Sequence, residues 1–236
     1  MYPNKKALEE LARLDKISLN NNPTCWETKD IRAIKITSLN CRSLKKHHKD
    51  ILSDNLLLKS DIIGLQEIWI DNDDSMEDLE IEGYELHLNS KGRGKGVGTY
   101  FKKNIFKPDM KIKEANMQLS KFTSSLLDII FLYRSQPANY EQLNQNIQLM
   151  TNSDKPLLVI GDFNFCFLDN SSNLTKSFFT REQFTQLIRQ PTHIGGHLLD
   201  QAYLRDISGE LRCAVELQSK YYTDHMGLAI IIKKGM

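Results

Sequence analysis

Long apolar runs are missing from this 236-residue chain. No stretch approaches the roughly 18 apolar residues of a membrane-crossing helix, so no membrane is expected among its partners. Cysteine is scarce. Cys25, Cys41, Cys166 and Cys213 stand apart with no Cys-x-x-Cys spacing, which argues against a zinc site built on paired thiolates. With no apolar leader at the N-terminus either, they read as reduced thiols, and the expected location is intracellular and nuclear. Charge of one sign is lacking too. A formal net charge of +1 exerts little long-range pull on a polyanion, so any nucleic-acid site has to be a local basic patch. Internal repeats and long linkers are absent, and a hydrophobic content of 40% can supply one sizeable core.

Residues 1–32 read as a polar lead-in, with a short helix at Lys5–Leu14 closed by the Asn20-Asn-Asn-Pro23 breaker. Residues 33–236 read as a single domain of a monomeric protein. The glycosylation-like patterns at Asn170 and Asn173 are set aside, because a chain expected inside the cell meets no glycosylating enzyme.

The most informative segment present is Pro156-Leu-Leu-Val-Ile-Gly-Asp-Phe-Asn164. A buried apolar strand runs straight into a polar loop, and side chains two apart on an extended chain share a face. Asp162 and Asn164 are therefore expected at one spot, an anionic acceptor for a metal or proton beside a neutral donor for a phosphoryl oxygen. Other apolar runs also end on polar groups: Ile34 to Asn40, Asp61 to Glu67, Leu126 to Arg134, and Leu198 to Asp200. Thr223-Asp-His225 precedes the apolar run Leu228 to Ile232. Carboxylates and amides recurring at strand ends have the character of one cleft lining.

Between these runs, strand and helix patterns alternate as an α/β layered domain requires. The spacing predicts a helix over Leu44–Leu58 with Leu44, His48, Ile51, Leu52 and Asn55 on one face. Strands are predicted at Tyr84–Leu88, Val97–Lys102 and Ser124–Tyr133, paired partly antiparallel. A helix is predicted over Asn139–Met150, and Thr180-Arg-Glu-Gln183 has the form of a capping box opening a helix that carries Phe184, Leu187 and Ile188. Strands return at Leu198–Leu204, Ala214–Leu217 and Leu228–Ile232.

In this order the polar strand ends resemble the endonuclease/exonuclease/phosphatase superfamily, the DNase I-like fold. The resemblance runs from about Ala33 to Ile232 and rests on Asn40, Gln66-Glu67, Tyr133-Arg134, Gly161-Asp-Phe-Asn164, Leu199-Asp200 and Asp224-His225. The wording of Ser38-Leu-Asn-Cys-Arg-Ser-Leu44, Gln190-Pro-Thr192 and Tyr222-Thr-Asp-His225 is most similar to endonuclease domains of eukaryotic mobile elements, both non-LTR retrotransposons and Helitron-like or PIF1-helicase-linked proteins. The resemblance implies a four-layer α/β sandwich, two packed mixed β-sheets flanked by helices, with the active site at one edge. It implies Mg²⁺, with Mn²⁺ as the alternative ion, and DNA as partner, along with an element-encoded reverse transcriptase or helicase.

The residue roles follow from the same resemblance. Glu67 is the first metal ligand, with Asn40 and Asp224 completing the shell directly or through water. Asp200 orients His225, which handles a proton or polarises the scissile phosphate. The general base stays open between Asp162 and His225; the favoured arrangement has Asp162 orienting the attacking water while Asn164 and Tyr133 donate to the phosphate, and Thr192 adds a hydroxyl contact. Two features depart from the family pattern. Tyr133 is followed by Arg-Ser-Gln-Pro137 where several nucleases carry a small residue and a proline, and His193 and His197 stand where mobile-element domains carry Arg, Asn or other polar residues.

The tract Lys91-Gly-Arg-Gly-Lys-Gly-Val-Gly98 lacks the Gly-Lys-Ser/Thr ending of a phosphate loop and precedes its apolar run. It reads as a basic turn in which Lys91, Arg93 and Lys95 track a nucleic-acid backbone from outside the metal cleft. The leading expectation is a DNA-nicking endonuclease. Its rivals are a phosphoesterase acting on a small phosphorylated molecule or lipid head group, since one fold hosts both, and a catalytically silent binding module.

Overall fold

The computed structural model describes residues 33–71, 77–90, 92–137, 139–151, 154–169 and 174–235. The lead-in with its helix at Lys5–Leu14, together with Cys25, Lys91, Asn170 and Asn173, lies outside the described residues. The strands are β1 (Ile34–Asn40), β2 (Ile62–Gln66), β3 (Glu85–Asn89), β4 (Val97–Phe101), β5 (Lys107–Lys113), β6 (Met117–Thr123), β7 (Asp128–Arg134), β8 (Leu157–Asp162), β9 (Thr185–Gln186), β10 (Asp200–Arg205), β11 (Leu211–Gln218) and β12 (Gly227–Lys234). The α-helices are α1 (Leu44–Leu52), α2 (Tyr140–Met150) and α3 (Leu174–Arg181). Among the described residues, no helix is long and apolar enough to cross a membrane.

Two six-stranded mixed sheets result, with orders β11-β12-β1-β2-β4-β3 and β5-β6-β7-β8-β10-β9. At the centre of each, a parallel pair carries the register: Asn40 lies opposite Gln66, and Tyr133 opposite Asp162. Three apolar cores separate four layers. Ile36, Ile62, Phe101, Phe131, Leu158, Ile160 and Ile230 fill the space between the sheets. Leu44 and Ile51 of α1 cover Ile63 and Leu65 on the outside of the first sheet. Leu143, Ile147, Phe178 and Phe179 cover Ile130, Leu132 and Val159 on the outside of the second. Each such fully buried side chain contributes on the order of 1.5–3 kcal/mol. The four-layer sandwich expected from the sequence is the observed fold.

The alternation of faces along each strand positions the site. Residues two apart point the same way, so the inward series Ile34, Ile36 continues to Ser38 and Asn40, and Leu158, Ile160 continues to Asp162. Asp200 begins the inward series Ala202, Leu204, and Tyr133 ends Ile129, Phe131. The polar strand ends thus face one another across the rim of the inter-sheet core. Gly64 allows this approach, since a Cβ there would lie 1.9 Å from the Phe131 ring of the other sheet. Within the second sheet, a Cβ on Gly161, which has φ +148, would lie 2.0 Å from the carbonyl oxygen of its partner Leu132.

Several local expectations need correction. The first helix stops at Leu52, because Ser53 turns back on Lys49 and Asp54 Oδ1 accepts from Leu56 and Leu57 N–H (3.2 and 3.1 Å), opening a short 3₁₀ turn at Leu57–Lys59. Leu52 and Asn55 are consequently exposed, and His47 joins Leu44, His48 and Ile51 on the buried face. The capping box at Thr180 is the end of a helix. Gln183 takes φ 62, and Phe184 N–H donates back to Phe179 O (2.9 Å), closing α3 in the left-handed manner common at helix C-termini. Thr185 and Gln186 then pair with Leu204 and Tyr203. The strand predicted over Ser124–Tyr133 begins only at Asp128, as β7: residues 124–127 form the turn that joins it to β6, where Ser124 N–H donates to Leu127 O (3.1 Å). The outer neighbour of β6, β5, alternates Pro108, Met110 and Ile112 with Lys107, Asp109, Lys111 and Lys113, is almost wholly exposed, and is not among the predicted strands.

Candidate active site

Backbone strain gathers around the cleft. Among the described residues outside glycine, positive φ occurs at Arg42, Ser43, Glu67, Trp69 and Asn164, all just beyond β1, β2 or β8, and at Gln183. Such conformations cost on the order of 1–3 kcal/mol each and persist where surrounding structure enforces them.

Asn40 is the hub. Its Nδ2 donates to Glu67 Oε1 (3.0 Å) and to Asp162 Oδ2 (2.9 Å), and lies 3.5 Å from His225 Nε2. Its Oδ1 accepts from Arg42 N–H (3.2 Å), which fixes the amide orientation. The amide therefore shows the carboxylates its nitrogen rather than its oxygen, and the expectation of direct metal ligation by Asn40 gives way to a bridging donor. Glu67 Oε1 also faces the Tyr133 hydroxyl (3.4 Å) and Oε2 faces Trp69 Nε1 (3.4 Å). Burial, then the charge of Glu67, hold the Tyr133 hydroxyl far above its ordinary pKa, so it stays a neutral donor.

Asp162 and Asn164 come together, but through a turn. The chain leaves the strand at Asp162, Asn164 takes φ 50, and Asn164 donates to Asp162 from both N–H (2.9 Å) and Nδ2 (3.2 Å). The Arg-Ser-Gln-Pro segment grips this turn: Arg134 Nη1 donates to Phe163 O (2.8 Å) and Gln136 Nε2 to Asn164 O (3.0 Å). Arg134 is itself buried against Tyr140, 4.3 Å from the ring centroid. Its position at the end of an apolar run was the available signal for this role.

His225 Nδ1 lies 2.8 Å from Asp200 Oδ2, both buried. Burial opposes the imidazolium, but the hydrogen bond and charge of Asp200, with Asp162 and Asp224 behind, raise the His225 pKa to about 9. Burial first and the Asp200 charge second also raise the Asp162 pKa. Thr192, expected to contact nucleic acid, is fully buried, and its hydroxyl accepts from the N–H groups of Leu199 (3.1 Å) and Asp200 (2.9 Å). It anchors the start of β10 instead.

Asp224 stands beside this cluster. Its Oδ2 pairs with Arg42 (2.7 Å) and His193 Nε2 (3.4 Å), while its buried Oδ1 has no hydrogen-bond partner and lies 3.9 Å from His225 Nε2. Sequence reasoning passed over Arg42, and it treated His193 only as a departure; the ladder contact of His193 with His225 across the loop places it here. Among the described residues, two groups have ligand atoms within 4.8 Å of one another, His193-Asp224-His225 and Asp162-Asp200-His225, and Glu67 joins neither. His193 Nδ1 accepts Gly195 N–H (3.0 Å), so Nε2 carries the proton and serves Asp224 as donor. The carboxylates of Glu67 and Asp162 converge on one amide nitrogen, and Asp224 leaves an oxygen unpartnered. This oxygen-rich donor set fits a hard divalent cation.

The basic turn does not lie outside the cleft. Gly94 O accepts from the Tyr133 hydroxyl (3.1 Å), Lys95 O accepts from Trp69 N–H (3.2 Å), and the Arg93 guanidinium sits 5.8 Å from the Trp69 ring centroid. Lys95 Nζ is engaged with Ala115 O (2.7 Å) and Asn116 Oδ1 (3.2 Å), so it ties loops together. Arg93 is exposed.

A two-sheet sandwich whose rim joins an Asp-His pair to clustered carboxylates defines a metal-dependent phosphodiesterase or nuclease of the DNase I-like class. The pattern of the Endonuclease/Exonuclease/phosphatase family matches residues 37–225, and the chain belongs to that family. The family is hydrolytic, has nuclease and phosphatase members, and generally depends on a divalent metal. Similar solved structures include the human Nocturnin catalytic domain (17% identity, TM-score 0.63, covering 86% of this chain and 94% of that one). The endonuclease domain of TRAS1, a telomere-specific non-LTR retrotransposon, is 12% identical, with TM-score 0.63 and coverage of 86% and 99%. The 3′ phosphatase NExo from Neisseria, bound to product DNA hairpin, is 16% identical, with TM-score 0.66 and coverage of 86% and 100%. No curated protein sequence matches the chain significantly.

Proposed function

We propose that this chain is a Mg²⁺-dependent endonuclease of mobile-element origin that nicks DNA. The observation that carries the reading is the continuous relay Glu67–Asn40–Asp162 beside Asp200–His225, held at 2.8 to 3.0 Å across two sheets. A phosphodiester resists attack because its anionic oxygens repel nucleophiles, so a catalyst must offset that charge, activate water and stabilise the leaving alkoxide. Glu67, with Asp224 completing the shell directly or through water, would hold the cation, which when bound neutralises phosphate charge and lowers the pKa of water.

The protein groups divide the remaining work. With its pKa raised to about 9, His225 is an imidazolium at neutral pH, Nδ1–H held by Asp200 and Nε2–H free to polarise the scissile phosphate. Asp162 has a raised proton affinity, which makes it the better base to orient and deprotonate water. Asn164 Nδ2, with one hydrogen on Asp162, has a second for a phosphoryl oxygen, and the neutral Tyr133 hydroxyl would join it by turning from Gly94 O to the phosphate. DNA as substrate is supported by the likeness to the TRAS1 endonuclease domain and to NExo with its DNA hairpin, and it would place the enzyme in the nucleus, working alongside an element-encoded reverse transcriptase or helicase.

The test is Mg²⁺-dependent relaxation of supercoiled plasmid by the purified chain, run beside phosphate release from a panel of inositol phosphates. Nicked circles without inositol phosphate turnover are expected. Turnover of the small phosphates alone would transfer the site to that substrate class.

A further inference from the structure

On its Asp224 side the cleft opens into a cavity of about 410 Å³ where cationic Arg42 and Lys46 and aromatic Trp69, Tyr221 and Tyr222 line the wall together with His47, Thr223 and the Asp224 carboxylate. That volume lies within the roughly 300–1,000 Å³ typical of small-molecule sites. The rings are held in place. Trp69 sits at φ 55, a costly conformation for a bulky residue, with its indole N–H turned to Glu67. Tyr222 is stacked on His47 (centroids 5.4 Å apart, planes at 27°) and meets Tyr221 edge-on at 5.2 Å. The Tyr221 hydroxyl is tied to Asp50 Oδ1 at 2.5 Å, yet the residue is 84% exposed, an anchored aromatic surface facing solvent. Arg42 reaches Asp224 while its side chain remains 50% exposed, leaving donors for an anion.

A groove that only tracks phosphates needs lysine and arginine and no rings. Rings beside cations add recognition of a base, since every nucleobase has a face to stack and every linkage carries an anion. A base inside a duplex is already stacked on its neighbours, so a base in this cavity has to be unpaired. We propose that the cavity is a nucleotide subsite next to the cut: it takes one unpaired nucleotide of the substrate strand, with the base against Trp69 and Tyr221 and its phosphate on Arg42 and Lys46. This assignment deepens the proposed nuclease activity and rests on it for the position of the scissile bond.

The experiment measures binding of the full chain, in EDTA, to a short oligothymidylate and to an abasic phosphodiester strand of the same length. The wild type is expected to prefer the strand with bases by roughly tenfold or more, the range of aromatic-base stacking. Trp69→Leu combined with Tyr221→Leu should bring that preference close to unity, whereas Tyr221→Phe, which keeps the ring, should retain it. Tyr221→Ala alone, at an exposed position, should lower the preference in part, so the assignment stays testable if the double variant fails to fold. Lys46→Gln should weaken both strands alike. Equal wild-type binding of the two strands, or a preference that survives loss of the rings, overturns the subsite. Because binding is read without metal or turnover, a chain that never nicks plasmid can still show the base preference, and one that nicks but binds both strands alike loses the cavity assignment alone.

Discussion

Asn40 and Asp162 are 122 residues apart in sequence and joined by a 2.9 Å hydrogen bond. They sit at the ends of central strands in different sheets, so this bond closes the rim of the sandwich and carries Glu67 with it. Asn40→Ala leaves two carboxylates facing each other without their shared donor. Partners of this kind typically govern 10–100-fold in metal affinity or activity, and a loss of about that size is expected in plasmid nicking, with Mg²⁺ titrations showing a weaker apparent affinity. An unchanged Mg²⁺ dependence would detach Asn40 from the metal site.

Glu67→Gln keeps the shape of the side chain and removes its charge. Plasmid nicking should fall by at least about 10–100-fold, while the melting temperature of the metal-free protein changes little, since Gln can still accept from Asn40. Near wild-type nicking with unaltered Mg²⁺ dependence would remove Glu67 from the ligand set.

Asp200 and His225 form one unit at 2.8 Å. Losing either should cost on the order of 10²–10⁴ in rate, and Asp200→Asn with His225→Ala together should cost little more than the worse single change, as for groups that act jointly. Losses that multiply would show independent roles. Single-turnover nicking rates for the four proteins give the comparison.

The same pair sets a pH dependence of folding. The His225 pKa is raised from 6.5 to about 9, so the stabilisation it brings is complete below 6.5 and is lost as pH rises through about 9. Asp162 acts in the same direction, because burial and Asp200 raise its pKa above 3.8 and its ionisation in the fold grows costly as pH increases. Thermal melting of the metal-free protein should therefore show lower stability at high pH than near pH 6.5, and Asp200→Asn should flatten the slope. Stability that increases across this window would contradict the assignment.

Much of this architecture was legible in the sequence because apolar runs end on, or follow, polar groups. The strands that end at Asn40 and Asp162, begin at Asp200, or lie next to Glu67 and His225 announce themselves that way. What escaped has physical reasons. Strand β5 lies at a sheet edge and is almost fully exposed, and its alternation of Pro108, Met110 and Ile112 with charged residues is weakened as a strand signal by the proline and by four charges in seven residues. The ending of α3 was mistaken for a beginning because Thr180-Arg-Glu-Gln183 satisfies the letters of a capping box, while the left-handed Gln183 that decides the matter is a backbone property. Thr192 was legible as a polar residue near the site, but only burial shows its oxygen spent on backbone N–H groups. Trp69 and Arg42 gave no signal alone, since what distinguishes them is the cavity they share.

The basic turn divides into two roles that substitutions can separate. Arg93 is exposed and lies over Trp69 at the cleft edge, so Arg93→Ala should weaken DNA binding and lower the slope of log affinity against log salt by roughly 0.9, the loss of one phosphate contact. Lys95 spends its ammonium on Ala115 O and Asn116 Oδ1. Lys95→Ala should therefore leave the salt slope nearly intact and reduce the melting temperature, since hydrogen bonds to charged groups contribute about 1.5–3 kcal/mol. The turn also holds Tyr133 through Gly94 O, so a disturbed Lys95 anchor should slow single-turnover nicking at saturating DNA, which Arg93→Ala should affect less. Binding curves over a range of salt, thermal melts and saturated rates on both variants decide the matter. A flattened salt slope for Lys95→Ala with unchanged melting would return Lys95 to the DNA-contacting role that its sequence context first implied.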